Sequence, residues 1–265
     1  MKVVLITGAS SGIGKAIGEY LCQNGYTVYG TSRNPVKYPN SKFELLELDV
    51  RNSNTISAAV QQIIQKSGRL DVVINNAGVG IAGSLEEIPM SEIRNNFDVN
   101  FFGPIEVIKM VLPQLRLQKS GLIINITSIA GYMGLPYRSI YSASKGALQL
   151  LTEAISMEVA PFGITICNVA PGDFATNIAA GRFHAAITAD SAYEKYPNIL
   201  HEMNSHVDSG ENPLQMAIAI RKIIETKNPK IHYKVGAFTQ KFSIVLKRIL
   251  PDLWFEKMMM NHYKI

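Results

Sequence analysis

The sequence predicts an α/β protein with a doubly wound parallel sheet of about seven strands and helices on both faces. Two observations predict it. Short, continuously apolar runs alternate with longer amphipathic runs through the first two-thirds of the chain, and a glycine-rich turn joins the first two runs. Continuous hydrophobicity is what a parallel strand covered on both faces requires.

The predicted strands are short, rich in β-branched or apolar residues, and bounded by Gly, Asn or Asp. They cover residues 3–7, 27–31, 43–48, 72–75, 122–127, 165–169 and 230–235. The predicted helices cover residues 14–24, 54–66, 91–117, 139–159 and 214–226. Gly25 and Gly68 suit the left-handed conformation that often ends a helix.

Two segments depart from this alternation. Residues 173–212 combine Gly, Pro, Asn and Ser with weak periodicity, which predicts an irregular lid or binding loop. Residues 240–265 form an apolar tail interrupted by basic residues. Because no repeat or low-complexity linker separates these parts, the sequence predicts one domain over residues 1–265.

Composition excludes several classes of protein. With 47% hydrophobic residues in 265, the chain can bury a core, which excludes global disorder. The net charge is +5, but Lys and Arg are dispersed, so we expect no nucleic-acid partner. The two cysteines lie in apolar stretches and are expected to be buried, reduced thiols.

No apolar run is long enough for a signal peptide or a membrane-spanning helix, which predicts a cytoplasmic protein. The five histidines show no metal-ligand spacing with Cys, Asp or Glu, so no metal site is expected. His201 and His206 lie in the predicted lid and could contact a substrate, although solvated loop residues are the usual interpretation of such histidines.

The glycine-rich turn predicts a dinucleotide site. Glycines allow a tight turn and a close approach to a pyrophosphate, and the following helix supplies free N–H groups. An ordinary strand–helix connection is the alternative, but the place of the turn in the first β-α-β unit favours a cofactor. The residues concerned are Gly8, Ser10, Ser11, Gly12, Ile13 and Gly14.

The end of the second strand bears on which dinucleotide binds. An NAD-preferring site is expected to place an acid here, but the chain has Ser32 and Arg33. Ser32 is a neutral hydrogen-bonding group, and the Arg33 guanidinium can contact a 2′-phosphate. Arg33 could instead be a solvated loop residue. The sequence favours NADP(H).

Tyr141 and Lys145 share a helix face because they lie four residues apart. A nearby ammonium favours the ionised phenol, which suits acid–base catalysis. Such a pair is also common on helix surfaces, so other motifs in the chain must show whether this pair is catalytic.

The chain resembles the short-chain dehydrogenase/reductase family in its form with a Gly-x-x-x-Gly-x-Gly loop. The matches run in order along nearly the whole chain. They are Thr7-Gly8-x-x-x-Gly12-x-Gly14, Asp49-Val50, Asn75-Asn76-Ala77-Gly78, Asn100, Ser128, Tyr141-x-x-x-Lys145 and Pro171-Gly172-x-x-x-Thr176. The resemblance implies a Rossmann-type fold and hydride transfer between a nicotinamide and a carbonyl or alcohol.

The resemblance also implies a catalytic tetrad. Tyr141 would be the acid in reduction and the base in oxidation, and Lys145 would bind the nicotinamide ribose and promote ionisation of Tyr141. Ser128 would hydrogen-bond the substrate oxygen, and Asn100 would hold the Lys145 side of a proton relay. A capping serine and an amide at a helix bend are the alternative roles of Ser128 and Asn100.

Further matches concern the cofactor. The resemblance places Asp49 and Val50 at the adenine edge. It places the segment of Asn76, Ala77 and Gly78 beside the adenine ribose, and the turn of Pro171, Gly172 and Thr176 near the carboxamide. NADP-preferring members often carry a basic residue where this chain has Ser11. The cofactor preference therefore depends on Arg33 alone.

Substrate specificity is expected from residues 129–138, from the lid and from the tail. Tyr132, Met133, Leu135, Pro136 and Tyr137 suit an apolar ketone better than a sugar. The tail could pack over the cleft or against another subunit, which its amphipathic pattern favours, or could lie on a membrane. Its pattern Leu250-Pro251-x-x-x-Phe255-Glu256-Lys257 loosely resembles the tails of steroid, retinol and 3-ketosphinganine reductases.

The sequence thus predicts an NADPH-dependent reductase of a hydrophobic, lipid-like ketone. A polar polyol or sugar dehydrogenase is one alternative. An NADP(H)-sensing regulator without turnover is another, although such proteins tend to lose the Tyr, Lys or Ser present here. The helices predicted at 91–117 and 139–159 resemble the family's dimer-forming pair, which implies a homodimer or homotetramer.

Overall fold

A parallel sheet of seven strands forms the centre of the protein, as predicted. The computed structural model describes residues 1–176 and 181–265, apart from the side chains of 206–208. The strands are β1 (Val3–Ile6), β2 (Thr27–Ser32), β3 (Glu44–Glu47), β4 (Val72–Asn75), β5 (Ile81–Ala82), β6 (Gly121–Ile126), β7 (Ile164–Pro171), β8 (Phe183–His184) and β9 (His232–Val235). The large sheet has the order β3-β2-β1-β4-β6-β7-β9, and β5 pairs with β8 separately.

The strand order reverses between β1 and β4. β1 pairs with β2 on one side and with β4 on the other, all in parallel. The chain leaves β1 and β4 toward opposite faces of the sheet, which opens a crevice at the carboxyl ends of these strands. The fold therefore predicts where a ligand binds.

Nine helices are found in the described part of the chain, and those predicted begin and end within two residues of the predicted bounds. They are α1 (Gly12–Gln23), α2 (Ser53–Ser67), α3 (Met90–Phe97), α4 (Gly103–Gln118), α5 (Ser139–Val159), α6 (Tyr196–Asp208), α7 (Pro213–Glu225), α8 (Phe238–Ile249) and α9 (Asp252–Tyr263). The predicted helix at 91–117 is wrong in one respect. A wider π-helical turn, Asp98–Phe102, separates α3 from α4 and contains Asn100.

Apolar layers cover both faces of the sheet. α2 and α4 bury residues such as Ile63 and Val111 on one face, and α1 and α7 bury Ile17 and Ile220 on the other. Gly25 and Gly68 follow α1 and α2 with φ of +82° and +69°, the left-handed conformation predicted for them.

The two cysteines differ in their exposure. Cys167 is buried on β7, but Cys22 is exposed, so the prediction for Cys22 was wrong. Its helix, α1, turns Leu21 to the core and the neighbouring Cys22 to the outside.

The predicted irregular lid at 173–212 contains a helix, α6, which corrects that expectation. Among its described side chains, Tyr196, Ile199, Leu200 and Met203 are buried, at a spacing that indicates a helix. The ends of the segment are joined by a bridge between Phe174 and Glu211. Residues 177–180 of the predicted lid lie outside the described part.

The tail consists of α8 and α9. Its buried Ile244 and Phe255 pack against Ile129 and Met133, which follow β6. This is the first of the two arrangements that its amphipathic pattern favours. Within the described residues, no helix is long and apolar enough to cross a membrane.

Candidate active site

A cavity of about 700 Å³ opens at the carboxyl ends of the strands where their order reverses. The segments that follow β1, β2, β3, β4 and β6 form its walls. It brings together nearly all the residues predicted to bind a cofactor: Gly8, Ser10, Ser11, Gly12, Ile13, Ser32, Arg33, Asp49, Val50, Asn76, Ala77, Gly78, Tyr141, Lys145, Pro171 and Thr176. The exceptions are Gly14, which packs beneath the loop, and Gly172, which faces a second cavity.

The glycine loop needs its glycines for two reasons. Gly8 and Gly12 have φ of +64° and +54°, a backbone conformation that residues with a Cβ rarely adopt. A Cβ on Gly8 would also lie 2.9 Å from the Cα of Ala77, and one on Gly14 would lie 2.6 Å from the Gly8 carbonyl oxygen. The loop backbone therefore packs closely against Ala77 and against the start of α1. Its glycines leave room for a ligand to approach the loop backbone.

Asn76 and the start of α1 complete the loop. The Asn76 Nδ2 donates to the carbonyl oxygens of Thr7 and Gly8, both at 3.0 Å. Ser11 stands at the N-cap of α1, and its side chain makes no capping hydrogen bond. The first N–H groups of α1 and the positive end of its dipole can therefore bind an anion such as a pyrophosphate.

Three basic residues line the far end of this cavity. Arg33, which the sequence analysis identified, is joined by Lys37 and Arg51, which it missed. Arg51 donates to both carboxylate oxygens of Asp49, at 3.1 and 2.7 Å, and this holds the pKa of Asp49 below its usual range, with a smaller effect from Arg33. The buried Ser32 accepts a hydrogen bond from the Asn34 N–H at 3.2 Å. This end is suited to a phosphate.

Tyr141 and Lys145 lie in the first turns of α5 and face the same cavity. Both are buried, and the Lys145 Nζ lies 6.0 Å from the centre of the Tyr141 ring. Lys145 also donates to the Ile126 carbonyl oxygen at the end of β6, at 3.0 Å. Burial lowers the pKa of Lys145 to about 8. An amine of this kind can change its protonation state near neutral pH.

Asn100 lies in the π-helical turn and is fully buried. Its side-chain amide donates to the Val79 carbonyl and accepts from the Val79 N–H, both at 2.9 Å. A Cβ on Gly78 would lie 3.1 Å from the Asn100 Oδ1 and 3.4 Å from the Lys145 Nζ. Asn100 therefore fixes the strand-end segment that borders Lys145.

Ser128 follows β6 and lines the space beyond Tyr141. Its Oγ accepts a hydrogen bond from the Ala130 N–H at 3.1 Å, so Ser128 also caps the short helical turn that follows. A small chamber of about 70 Å³ holds Ser128, Tyr141, Pro171 and Thr176 together. A reacting atom placed there would meet two hydroxyl groups.

A second cavity of about 940 Å³ adjoins this chamber on the side away from the glycine loop. All three segments expected to set specificity contribute to it. Most of its walls are apolar, and their main side chains are Ile129, Met133, Leu135, Ile199, Met203, Phe238, Phe242, Leu246, Met258 and Met259.

Some expected contacts in this second cavity are absent and others are new. Tyr132 packs against His232, and Tyr137 packs against Tyr196, so neither tyrosine is among the described lining residues. Arg138, which lines the cavity, was missed, because a single arginine before a helix carries no pattern. Its guanidinium lies 5.4 Å from the centre of the Tyr141 ring.

His201 and His206 were considered as substrate contacts. His201 is exposed, and the side chain of His206 lies outside the described residues. His262 of α9 lines the cavity instead.

Known proteins are similar to this chain in both sequence and fold. The short chain dehydrogenase family matches residues 2–186. The 3-ketodihydrosphingosine reductase of Bacteroides thetaiotaomicron is 42% identical over 253 residues, which cover 95% of this chain and 94% of that protein.

Two solved structures extend this result. A short-chain dehydrogenase from Streptomyces avermitilis is 32% identical, with a TM-score of 0.81 over 100% of this chain and 97% of that one. ElxO with NADP bound is 28% identical, with a TM-score of 0.70 over 88% of this chain and 96% of that one. The family resemblance and the fold are thus confirmed, and the chain belongs to the short-chain dehydrogenases, a family of oxidoreductases.

Proposed function

We propose that this chain is an NADP(H)-dependent reductase of an apolar, lipid-like ketone. One observation carries the proposal: an apolar cavity of about 940 Å³ meets the cofactor-sized cavity at Ser128 and Tyr141. A substrate whose alkyl chain lies in the 940 Å³ cavity would bring its carbonyl group to the hydroxyls of Ser128 and Tyr141.

The proposed chemistry divides the work between cofactor and protein. A bound nicotinamide would supply a hydride to the carbonyl carbon. The Tyr141 phenol donates a proton to the carbonyl oxygen, so that C=O becomes CH–OH, and Ser128 donates a hydrogen bond to the same oxygen. Lys145 would bind the ribose of the cofactor and would stabilise the phenolate that remains. Asn100 acts as a positioning residue through the Val79 backbone.

The preference for NADP(H) is supported by charge. Arg33, Lys37 and Arg51 surround the end of the cavity where an adenosine 2′-phosphate would lie, and the Asp49 carboxylate is already neutralised by Arg51. A guanidinium and an ammonium favour a phosphate over a free hydroxyl. The NADP bound in ElxO supports the same choice.

The lipid-like substrate is supported by the cavity lining and by a relative. Methionine and leucine side chains adapt to an alkyl chain but make few hydrogen bonds to a sugar. The name of the 42% identical relative denotes a long-chain ketone substrate. A sensing regulator is disfavoured because Tyr141, Lys145 and Ser128 all border the reacting position.

A substrate panel tests the proposal. Consumption of NADPH would be followed with 3-ketodihydrosphingosine, with shorter apolar ketones and with aldoses and polyols, and each assay would be repeated with NADH. We expect kcat/KM to rise with the length of the alkyl chain and to be higher with NADPH. Activity confined to the sugars, or no activity on any carbonyl compound, would refute the proposal.

A further inference from the structure

The outer side of α8 carries an apolar stripe that begins at the proposed substrate cavity and extends beyond it. Phe238, Phe242, Val245 and Ile249 recur at helical spacing and so share one side of the helix. Their exposed fractions are 75, 44, 40 and 73%. The opposite side of α8 is the one that packs inward, through the buried Ile244. A surface helix normally turns polar residues outward, so the stripe requires an explanation.

Exposed apolar residues also occur on α9, the next helix of the tail. Leu253 and Trp254 are 69 and 66% exposed, and Met260 is 47% exposed. We refer to the exposed apolar residues of both helices as the outer tail face: Phe238, Phe242, Val245, Ile249, Leu253, Trp254 and Met260. An exposed tryptophan is typical of an interface between water and lipid.

Basic side chains flank this face. Arg248 is exposed on α8 and lies near Lys234 of β9, whose pKa is lowered by burial and by the charge of Arg248. Lys257 is exposed on α9. Of the acidic residues on these helices, Asp252 accepts a hydrogen bond from Lys247 at 2.7 Å, and Glu256 is exposed. The balance of charge around the face is positive.

The outer tail face is continuous with the proposed substrate cavity. Phe238 and Phe242 stack on each other with their ring centres 5.7 Å apart. Both are exposed, and both line the 940 Å³ cavity. An apolar molecule on the outer tail face would therefore contact Phe238 and Phe242, which also form part of the cavity wall.

We propose that the outer tail face docks on a lipid bilayer that contains anionic headgroups. Insertion of the stripe would bury apolar area, and the exposed Arg248 and Lys257 would meet the negative surface. A second copy of the chain is a poorer occupant, because a twofold contact would bring the same basic residues together. The proposal concerns binding alone and needs no turnover.

Vesicle sedimentation tests the docking directly. The intact protein would be mixed with vesicles of phosphatidylcholine alone or with added phosphatidylglycerol, without substrate. We expect sedimentation with the anionic vesicles, weakened by high salt. The double variant Ile249→Ser and Leu253→Ser, which removes exposed side chains outside the cavity lining, should lower the partition coefficient about tenfold.

A matched control is the double variant Val36→Ser and Leu85→Ser, which removes apolar side chains that are 87 and 60% exposed elsewhere. It should bind vesicles as the natural protein does. Arg248→Glu with Lys257→Glu should remove the preference for anionic vesicles.

Absence of vesicle binding by the natural protein, or equal binding by the two serine variants, would overturn the proposal. So would conversion of a dimer to a monomer by Ile249→Ser and Leu253→Ser without a change in vesicle binding. Activity on a water-soluble ketone should not change in these serine variants, which separates this inference from the proposed function.

Discussion

Gln240 and Asp173 hold each other through two hydrogen bonds. The Gln240 Nε2 donates to the Asp173 Oδ2 at 2.6 Å, and the Gln240 Oε1 accepts from the Asp173 N–H at 3.2 Å. Gln240 belongs to α8, and Asp173 follows Pro171 and Gly172 at the end of β7. The pair therefore fastens the tail to the turn between the two large cavities.

Replacement of this amide tests its role. Gln240→Ala removes both hydrogen bonds, which together are worth about 1–3 kcal/mol. We expect KM for the ketone to rise about tenfold because α8 then loses its fixed position over the cavity. The Kd for NADPH, measured by fluorescence titration, should change little. An equal loss of NADPH affinity would mean that the pair supports the cofactor cavity instead.

The buried amine of Lys145 predicts an unusual dependence of stability on pH. Its pKa is about 8 in the folded protein and 10.5 ordinarily, which corresponds to about 3 kcal/mol. The unfolded chain binds more protons between these values, so the contribution of Lys145 to stability rises with pH from about 8 to 10.5. Below pH 8 the buried charge destabilises the fold by its full amount.

Lys145→Met should therefore stabilise the protein while it abolishes reduction. Loss of the hydrogen bond to the Ile126 carbonyl lowers the free energy of unfolding by about 1 kcal/mol. Removal of the buried charge outweighs this loss, so the free energy of unfolding should rise by about 2 kcal/mol at pH 7. Urea unfolding at pH 7 and pH 10 measures it, and the gain should shrink at the higher pH. A methionine variant that is less stable at both pH values would contradict the assigned burial of charge.

The features predicted from sequence are those that a local pattern determines. Continuous apolar runs located the seven strands of the large sheet but not the two-residue strands β5 and β8. The family motifs placed Tyr141, Lys145 and the glycine loop around one cavity. Helix α6 was missed although the spacing of Tyr196, Ile199 and Met203 could have revealed it, because Pro197 and Asn198 lie in its first turn and obscured the pattern.

Other features depend on contacts that no local pattern encodes. Gln240 and Asp173 are 67 residues apart and meet only because α8 folds back over β7. Arg51 enters the cofactor cavity through its pairing with Asp49, and Arg138 reaches the substrate cavity from the turn before α5. The outward apolar stripe of α8 is visible only once the inward side is known.

Arg33 is expected to determine the choice of cofactor. Arg33→Asp replaces a phosphate contact with a repelling carboxylate and should weaken NADPH binding by about 10–100-fold. The affinity for NADH should be unchanged or higher. Lys227→Asp makes the same change of charge in an exposed loop outside the cavity and serves as the control. Isothermal titration with both cofactors measures the effect, and unaltered NADPH affinity would show that Arg33 does not bind the phosphate.

The outer side of α5 is expected to form a subunit contact. Leu150 and Met157 are seven residues apart, so they share a helix face, and they are 67 and 73% exposed. We propose that this face joins two copies of the chain. Leu150→Glu with Met157→Glu should convert the oligomer to a monomer in light scattering after size exclusion. A natural protein that is already monomeric would refute this contact.

The measurement that most directly tests the central claim is single-turnover reduction by the Tyr141→Phe variant, with NADPH binding measured on the same sample. Phenylalanine keeps the ring against Lys145 and removes only the hydroxyl that is proposed to donate the proton. We expect the rate to fall by about 100-fold or more while the NADPH affinity is unchanged. A variant that reduces the ketone at the rate of the natural protein would contradict it.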